Sequence, residues 1–149
     1  MKKGKKWVTE RSLLSLKKAQ KNKKTVGIYL HWNGGRDSVE GLLQAAKDYG
    51  IRGGDYGVAR LIQIICNTFP GCLGVGVDLV ERLDCDNYDN GLYWVDPEFN
   101  IVGREFFENR KEQQVYPLDE FVKEVKKEND FVFNKDPYKK LEKMQGGAA

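Results

Sequence analysis

Apolar and polar residues alternate with a period of two from Thr25 to Trp32, which predicts a strand. Val26, Ile28, Leu30 and Trp32 share one face, and Tyr29 and His31 take the other. Asn33-Gly34-Gly35 ends the strand as a turn. The period then changes: Val39, Leu42, Leu43 and Ala46 recur at helical spacing, with Asp37 or Ser38 as the expected cap and Gly50 as the left-handed stop. After Arg52-Gly53-Gly54, Asp55 is the expected cap of a second helix. Its stripe of Val58, Leu61, Ile62, Ile65 and Phe69 marks it as the central core helix, ended by Pro70-Gly71.

Leu73 to Val80 reads as a strand with Leu73, Val75, Val77 and Leu79 on one face. Gly74 and Gly76 open the other face and leave backbone that a neighbour can approach. A polar loop, Asp84 to Gly91, leads to a hairpin of Leu92–Val95 and Ile101–Arg104 around Asp96-Pro97-Glu98-Phe99-Asn100. Residues 108–116 read as a connector. Pro117 opens a further helix with Leu118, Phe121, Val122 and Val125 on one face, and Tyr138–Met144 suggests a short last one. The order predicts an α+β fold: a small, mainly antiparallel sheet of about four strands packed against two or three helices. In this reading residues 1–24 form a basic N-terminal arm, 25–107 the α+β core domain and 108–149 a C-terminal helical extension. Within the arm, Thr9 can cap a helix with a weak apolar patch of Leu13, Leu14 and Leu16.

Charge divides the chain at the same place. Residues 1–24 hold nine lysines and Arg11 against the single acid Glu10, whereas the remaining residues hold 15 basic and 21 acidic side chains. A basic arm on an acidic body suits nucleic acid or another polyanion, or a solubilising tail that folds back onto the body. Three cysteines without a C-x-x-C pair argue against a disulfide framework and for a reducing compartment, with Cys66 read as a small buried hydrophobe. No secretion signal or membrane-spanning run is recognisable, so a cytoplasmic location and no membrane partner are expected.

The chemistry-bearing residues complete no catalytic signature. His31-Trp32-Asn33-Gly34-Gly35-Arg36-Asp37-Ser38 joins a strand to a helix, a place where backbone N–H groups can face an anion and Arg36 can clamp it. It is neither a Walker loop nor a dinucleotide fingerprint, and Asp37 already supplies negative charge to the helix end. His31, the single histidine, has no spacing to a nucleophile and an acid that would define a triad. Arg52-Gly53-Gly54-Asp55-Tyr56-Gly57-Val58-Ala59-Arg60 also precedes a helix, and two readings stand: its glycines, arginines and tyrosine line a pocket with the first turn, or it is a flexible connection with a cap. Asp84, Asp86, Asp89 and Asn90 fail the calcium-loop pattern because Tyr88 occupies a ligand position; a loop of Asx turns accounts for them. One histidine and three scattered cysteines make no zinc site. No catalytic residue, metal or cofactor is therefore assigned. The expected ligand- or partner-binding residues are His31, Trp32, Arg36, Arg52, Arg60 and Arg104.

The run Ile28-Tyr29-Leu30-His31-Trp32-Asn33-Gly34-Gly35-Arg36-Asp37-Ser38-Val39 resembles small uncharacterised proteins of bacteriophages and prophages. Asp55-Tyr56-Gly57-Val58-Ala59-Arg60, Leu83-Asp84-Cys85-Asp86-Asn87, Asn90-Gly91-Leu92-Tyr93-Trp94-Val95 and Ile101-Val102-Gly103-Arg104 are similar to further blocks there, so that the resemblance spans about residues 26–105. It implies a phage-type accessory protein in a bacterial host cell, non-enzymatic, acting by binding. The expected partner is a host defence protein to be inhibited or a nucleotide-like anionic signal to be sequestered. Two alternatives stand beside it: a nucleic-acid-binding protein using the arm, and a small hydrolase or nuclease centred on His31. The hairpin edge and the C-terminal helix leave room for a homo-oligomer.

Overall fold

Two apolar clusters of unequal size, one on each face, organise the sheet. A computed structural model describes residues 5–9 (backbone only), 23–31, 33–69, 74–86, 90–106, 117–133 and 145. Within them lie β1 (Lys5–Thr9), β2 (Val26–Leu30), α1 (Arg36–Asp48), α2 (Asp55–Thr68), β3 (Val75–Leu79), a short 3-10 turn (Val80–Arg82), β4 (Leu92–Val95), β5 (Ile101–Glu105) and α3 (Leu118–Phe133). The fold is α+β, as the order of periods predicts.

The strands form one sheet in the order β3-β2-β1-β4-β5. Three of its pairings are antiparallel, whereas β1 and β4 run parallel, with Trp7 opposite Tyr93. This corrects the reading of residues 1–24 as an arm outside the body, because Lys5–Thr9 is the middle strand. It also places Thr9 in a strand rather than at a helix cap. A strand with β2 on one side and β4 on the other is specified by those neighbours, not by its own charged sequence.

On one face Ile28 and Leu30 of β2 and Tyr93 and Val95 of β4 meet the helices. They pack with Val39, Leu42, Leu43, Ala45 and Ala46 of α1, Leu61, Ile64 and Ile65 of α2, and Phe121 and Val125 of α3. The alternate residues Leu92 and Trp94 point to the opposite face, where Val80, Cys85 and Val102 complete a second, smaller cluster. Every residue of β4 is therefore buried, on one side or the other.

Several local expectations change. β3 is an edge strand, so although Val77 pairs with Ile28 its side chain remains 51% exposed. Cys66 is exposed on α2, because the inward arc of that helix is taken by Leu61, Ile64 and Ile65. Neither α1 nor α2 is capped by a side chain. Their N-caps are Gly35 and Gly54, which places Asp37 and Asp55 inside the first turns. Gly50 does take the left-handed conformation (φ 68°) expected of it. Its N–H bonds Lys47 O at 2.9 Å and that of Ile51 bonds Ala46 O at 3.1 Å, a Schellman closure. Leu13, Leu14, Leu16, Trp32, Pro70, Gly71, Cys72, Leu73, Asp89, the connector 108–116 and the helix expected over Tyr138–Met144 lie outside the described residues.

Candidate functional site

The strand-to-helix turn sits where β2 leaves the sheet, beside the start of β4 and the end of β5. Asn33 takes the left-handed conformation (φ 56°), which asparagine tolerates better than most residues, and Gly35 returns the chain to an extended conformation before α1. Gly34 and Gly35 are buried, as are Asp37 and Ser38 at 5% and 3% exposure. The Asp37 carboxylate accepts the Ser38 N–H at 2.8 Å. It thus sets negative charge in the first turn of α1, where the helix dipole and unpaired amides would otherwise attract an anion. The turn is consequently an internal joint, and only its flanks reach the surface.

The hairpin locks that joint. The fully buried Tyr93 donates its hydroxyl to Gly34 O at 3.0 Å. The guanidinium of Arg104, its partner across the hairpin, lies 3.8 Å from the centroid of the Tyr93 ring. Arg104 also donates from Nη2 to Asn90 O at 2.8 Å, and Gly91 beside it is left-handed at φ 64°. An alanine at Gly91 would place its Cβ 2.4 Å from Glu105 O, so the sheet end closes only around glycine. Sequence reading picked out Arg104 but missed Tyr93. The turn at 96–100 alone would set residue 93 opposite 103. A bulge between the Val95–Ile101 and Trp94–Gly103 pairs shifts the register by one and brings 93 opposite 104, so the pattern of the sequence carried no direct signal for this pair.

The other predicted residues do not converge on this point. His31 is half-buried, with Nδ1 3.2 Å from the Tyr29 hydroxyl and its backbone N–H on Gly74 O at 2.7 Å. Tyr29 also faces Gly76, so the bare strip foreseen there is approached by the protein's own side chain. Trp32 lies outside the described residues. Arg52 and Arg60 are exposed, and Arg60 donates to Tyr56 O at 3.3 Å while lying over the Tyr56 ring. The 52–60 loop begins at the far end of α1, a helix of 13 residues and therefore about 20 Å long. Gly53 is there wedged against Pro97 of the hairpin turn. The two glycine-rich turns therefore cannot share one concavity.

Arg36 instead opens onto a groove that runs along α1. Arg36, Glu40, Gln44 and Lys47 line one wall, Phe99, Asn100, Ile101 and Leu118 face them, and Leu43 contributes from the helix. The groove encloses about 220 Å³. At one end Arg36 Nε pairs with Glu40 at 2.6 Å, and at the other Lys47 donates to Asn100 Oδ1. Asn100 is held by Asp96, whose carboxylate accepts the backbone N–H groups of Glu98 and Asn100, both at 2.9 Å. Among the described residues no group of three histidine, cysteine or carboxylate side chains has the proximity that a metal ion requires. No described helix is long and apolar enough to cross a membrane.

In comparisons with known proteins, no family model, curated protein or solved structure matches this chain.

Proposed function

We propose that the chain is a phage-type accessory protein that acts by binding a host protein, with the α1 groove as its contact surface. The observation that supports this most is the position of Arg36. It lines a concavity together with a second cation, Lys47, and the apolar Phe99, Ile101 and Leu118. Cations flanking an apolar floor suit a partial burial of another protein's acidic and apolar side chains. Size favours a protein over a nucleotide. A volume of about 220 Å³ is below the range of roughly 300–1,000 Å³ usual for small-molecule pockets. It accommodates one or two side chains.

The test is a pull-down from a bacterial host lysate with the wild-type protein and with the double variant Arg36→Ala/Lys47→Ala, followed by titration of the captured protein. Loss of capture and a Kd at least tenfold weaker in the variant support the reading. Equal capture by both proteins counts against it, as does the absence of any captured protein. A parallel thermal-shift series with nucleotides covers the sequestering alternative: a saturable rise in Tm that depends on Arg36 would replace the protein partner by an anion.

A further inference from the structure

A second cleft lies on the opposite flank of α3 and has the reverse electrostatic character. Thr68 and Phe69 at the end of α2 form one side, and Glu120, Phe121, Lys123, Glu124 and Glu128 of α3 the other, around about 480 Å³. Its floor is aromatic, with the rings of Phe69 and Phe121 stacked at 6.4 Å between centroids. Its rim is acidic. Glu120, Glu124 and Glu128 recur every four residues, so their side chains stand one above another along about 12 Å of helix.

Most other carboxylates of the helices are engaged, although among the described residues Asp119 at the start of α3 is not. Glu40 is paired with Arg36, Asp48 with Lys126, and Asp130 accepts the hydroxyl of Tyr49. Among the described residues none of the three rim glutamates is in an ion pair or a side-chain hydrogen bond, although Lys123 stands at suitable spacing from Glu120. An aromatic floor with a row of exposed, unneutralised carboxylates is complementary to one kind of segment: a helix with apolar side chains on one face and lysine or arginine at four-residue spacing beside them.

We infer that this cleft is a docking groove for a cationic amphipathic segment of a partner protein. The apolar face of the segment lies on Phe69 and Phe121, and its basic residues meet Glu120, Glu124 and Glu128. This surface is independent of the α1 groove, because neither Arg36 nor Lys47 contributes to it.

The probe is a fluorescein-labelled 14-residue amphipathic helix of leucine and lysine, titrated with the full-length protein and followed by anisotropy. An all-lysine peptide of equal length and a leucine–glutamate counterpart serve as controls. The variant Glu120→Gln/Glu124→Gln/Glu128→Gln changes three exposed side chains and leaves the floor intact, and its thermal unfolding is measured in parallel. Glu81→Gln, on the turn after β3, is the control for a general loss of charge. Saturable binding of the leucine–lysine helix, at least tenfold weaker in the triple variant and unchanged in Glu81→Gln, supports the inference. It is overturned if no binding is detected up to about 100 µM, if the triple variant binds equally, or if the all-lysine peptide binds as well. Concentration-dependent self-association that the triple variant abolishes would make a second copy the occupant, and would overturn the assignment to a different protein. The Arg36→Ala/Lys47→Ala variant retains full binding of the probe, which separates failure of this inference from failure of the α1 reading.

Discussion

The hydroxyl of Tyr49, at the C-cap of α1, donates to Asp130 Oδ1 on α3 at 2.6 Å while its ring stacks on Phe133 with centroids 5.0 Å apart. One residue thereby ties the end of α1 to α3 by both a polar and an apolar contact. Burial, reinforced by the hydrogen bond and charge of Asp130, raises the phenol pKa above its ordinary value of about 10. The folded state thus holds the proton more tightly than the unfolded chain does. The resulting stabilisation is present below pH about 10 and is lost as pH rises toward the folded-state value. Tyr49→Phe keeps the ring and removes the donor. It is expected to cost about 1–2 kcal/mol at neutral pH and to flatten the alkaline fall in stability, as checked by urea unfolding from pH 8 to 11.

Asp48, one residue earlier, gives the opposite pH dependence. A hydrogen bond from Lys126 at 2.6 Å, followed by one from Gln44 at 2.8 Å, lowers its carboxyl pKa below the ordinary 3.8. Its contribution is present above pH about 4 and is lost as pH falls through the folded-state value. Both partners of the ion pair are about one-third exposed, so water and salt screen it and its worth is at most about 1 kcal/mol. Asp48→Asn should therefore lower Tm slightly at pH 7 and not at pH 3, and the difference at pH 7 should shrink in 1 M salt.

α1 and α3 approach each other closely at Gly41. A Cβ added there would fall 2.2 Å from Cδ1 of Phe121 and 2.8 Å from Cε1. Alanine would otherwise favour the helix by about 1 kcal/mol, but the overlap with a packed ring is the larger effect. Gly41→Ala is expected to destabilise by about 1–3 kcal/mol. The double variant Gly41→Ala/Phe121→Leu should be less damaged than the sum of its parts, a coupling that denaturant titrations of all four proteins will measure.

Tyr93→Phe isolates the joint between the hairpin and the turn. The change leaves the ring beneath Arg104 and removes the hydroxyl that satisfies Gly34 O, a carbonyl in a buried residue. The expected loss is about 1–3 kcal/mol, the range for leaving a buried polar group without its partner. Faster amide hydrogen exchange at the start of α1 than at the α1–α3 contact would show that the loss is local.

Deleting residues 1–24 would not test the arm alone. It removes β1 and with it the ladders to both β2 and β4, leaving two separate strand pairs in place of one sheet. The truncated chain is expected to lose its cooperative thermal transition, monitored by circular dichroism. Lys17, Lys18 and Lys21 lie outside β1. Their replacement by glutamine is the clean test of nucleic-acid binding, read from the slope of log affinity against log salt.

Wherever one face of an element is buried, the sequence by itself determined the element. The alternation in Val26–Leu30, the four-residue spacing of Val39, Leu42, Leu43 and Ala46, and the hairpin around Asp96–Asn100 all survive as β2, α1 and β4–β5. Their periods are imposed by burial, and burial leaves a local record in the chain. Gly50 was legible for a similar reason, since its left-handed conformation excludes most side chains.

Tertiary structure alone decided what depends on distant partners. Lys5–Thr9 becomes the central strand because β2 and β4 supply ladders on both sides, and nothing in Lys-Lys-Trp-Val-Thr announces that. The same holds for the candidate site. Glycine-rich turns at 33–35 and 52–54 look equivalent in the sequence, yet a helix of about 20 Å keeps them apart. Arg36 acquires its groove from Phe99 and Ile101 of the hairpin and Leu118 of α3, residues brought to it by the register of the sheet and the packing of the last helix. The turn that the sequence marked most strongly is the buried joint, and the surfaces available to a partner lie along the helices beside it.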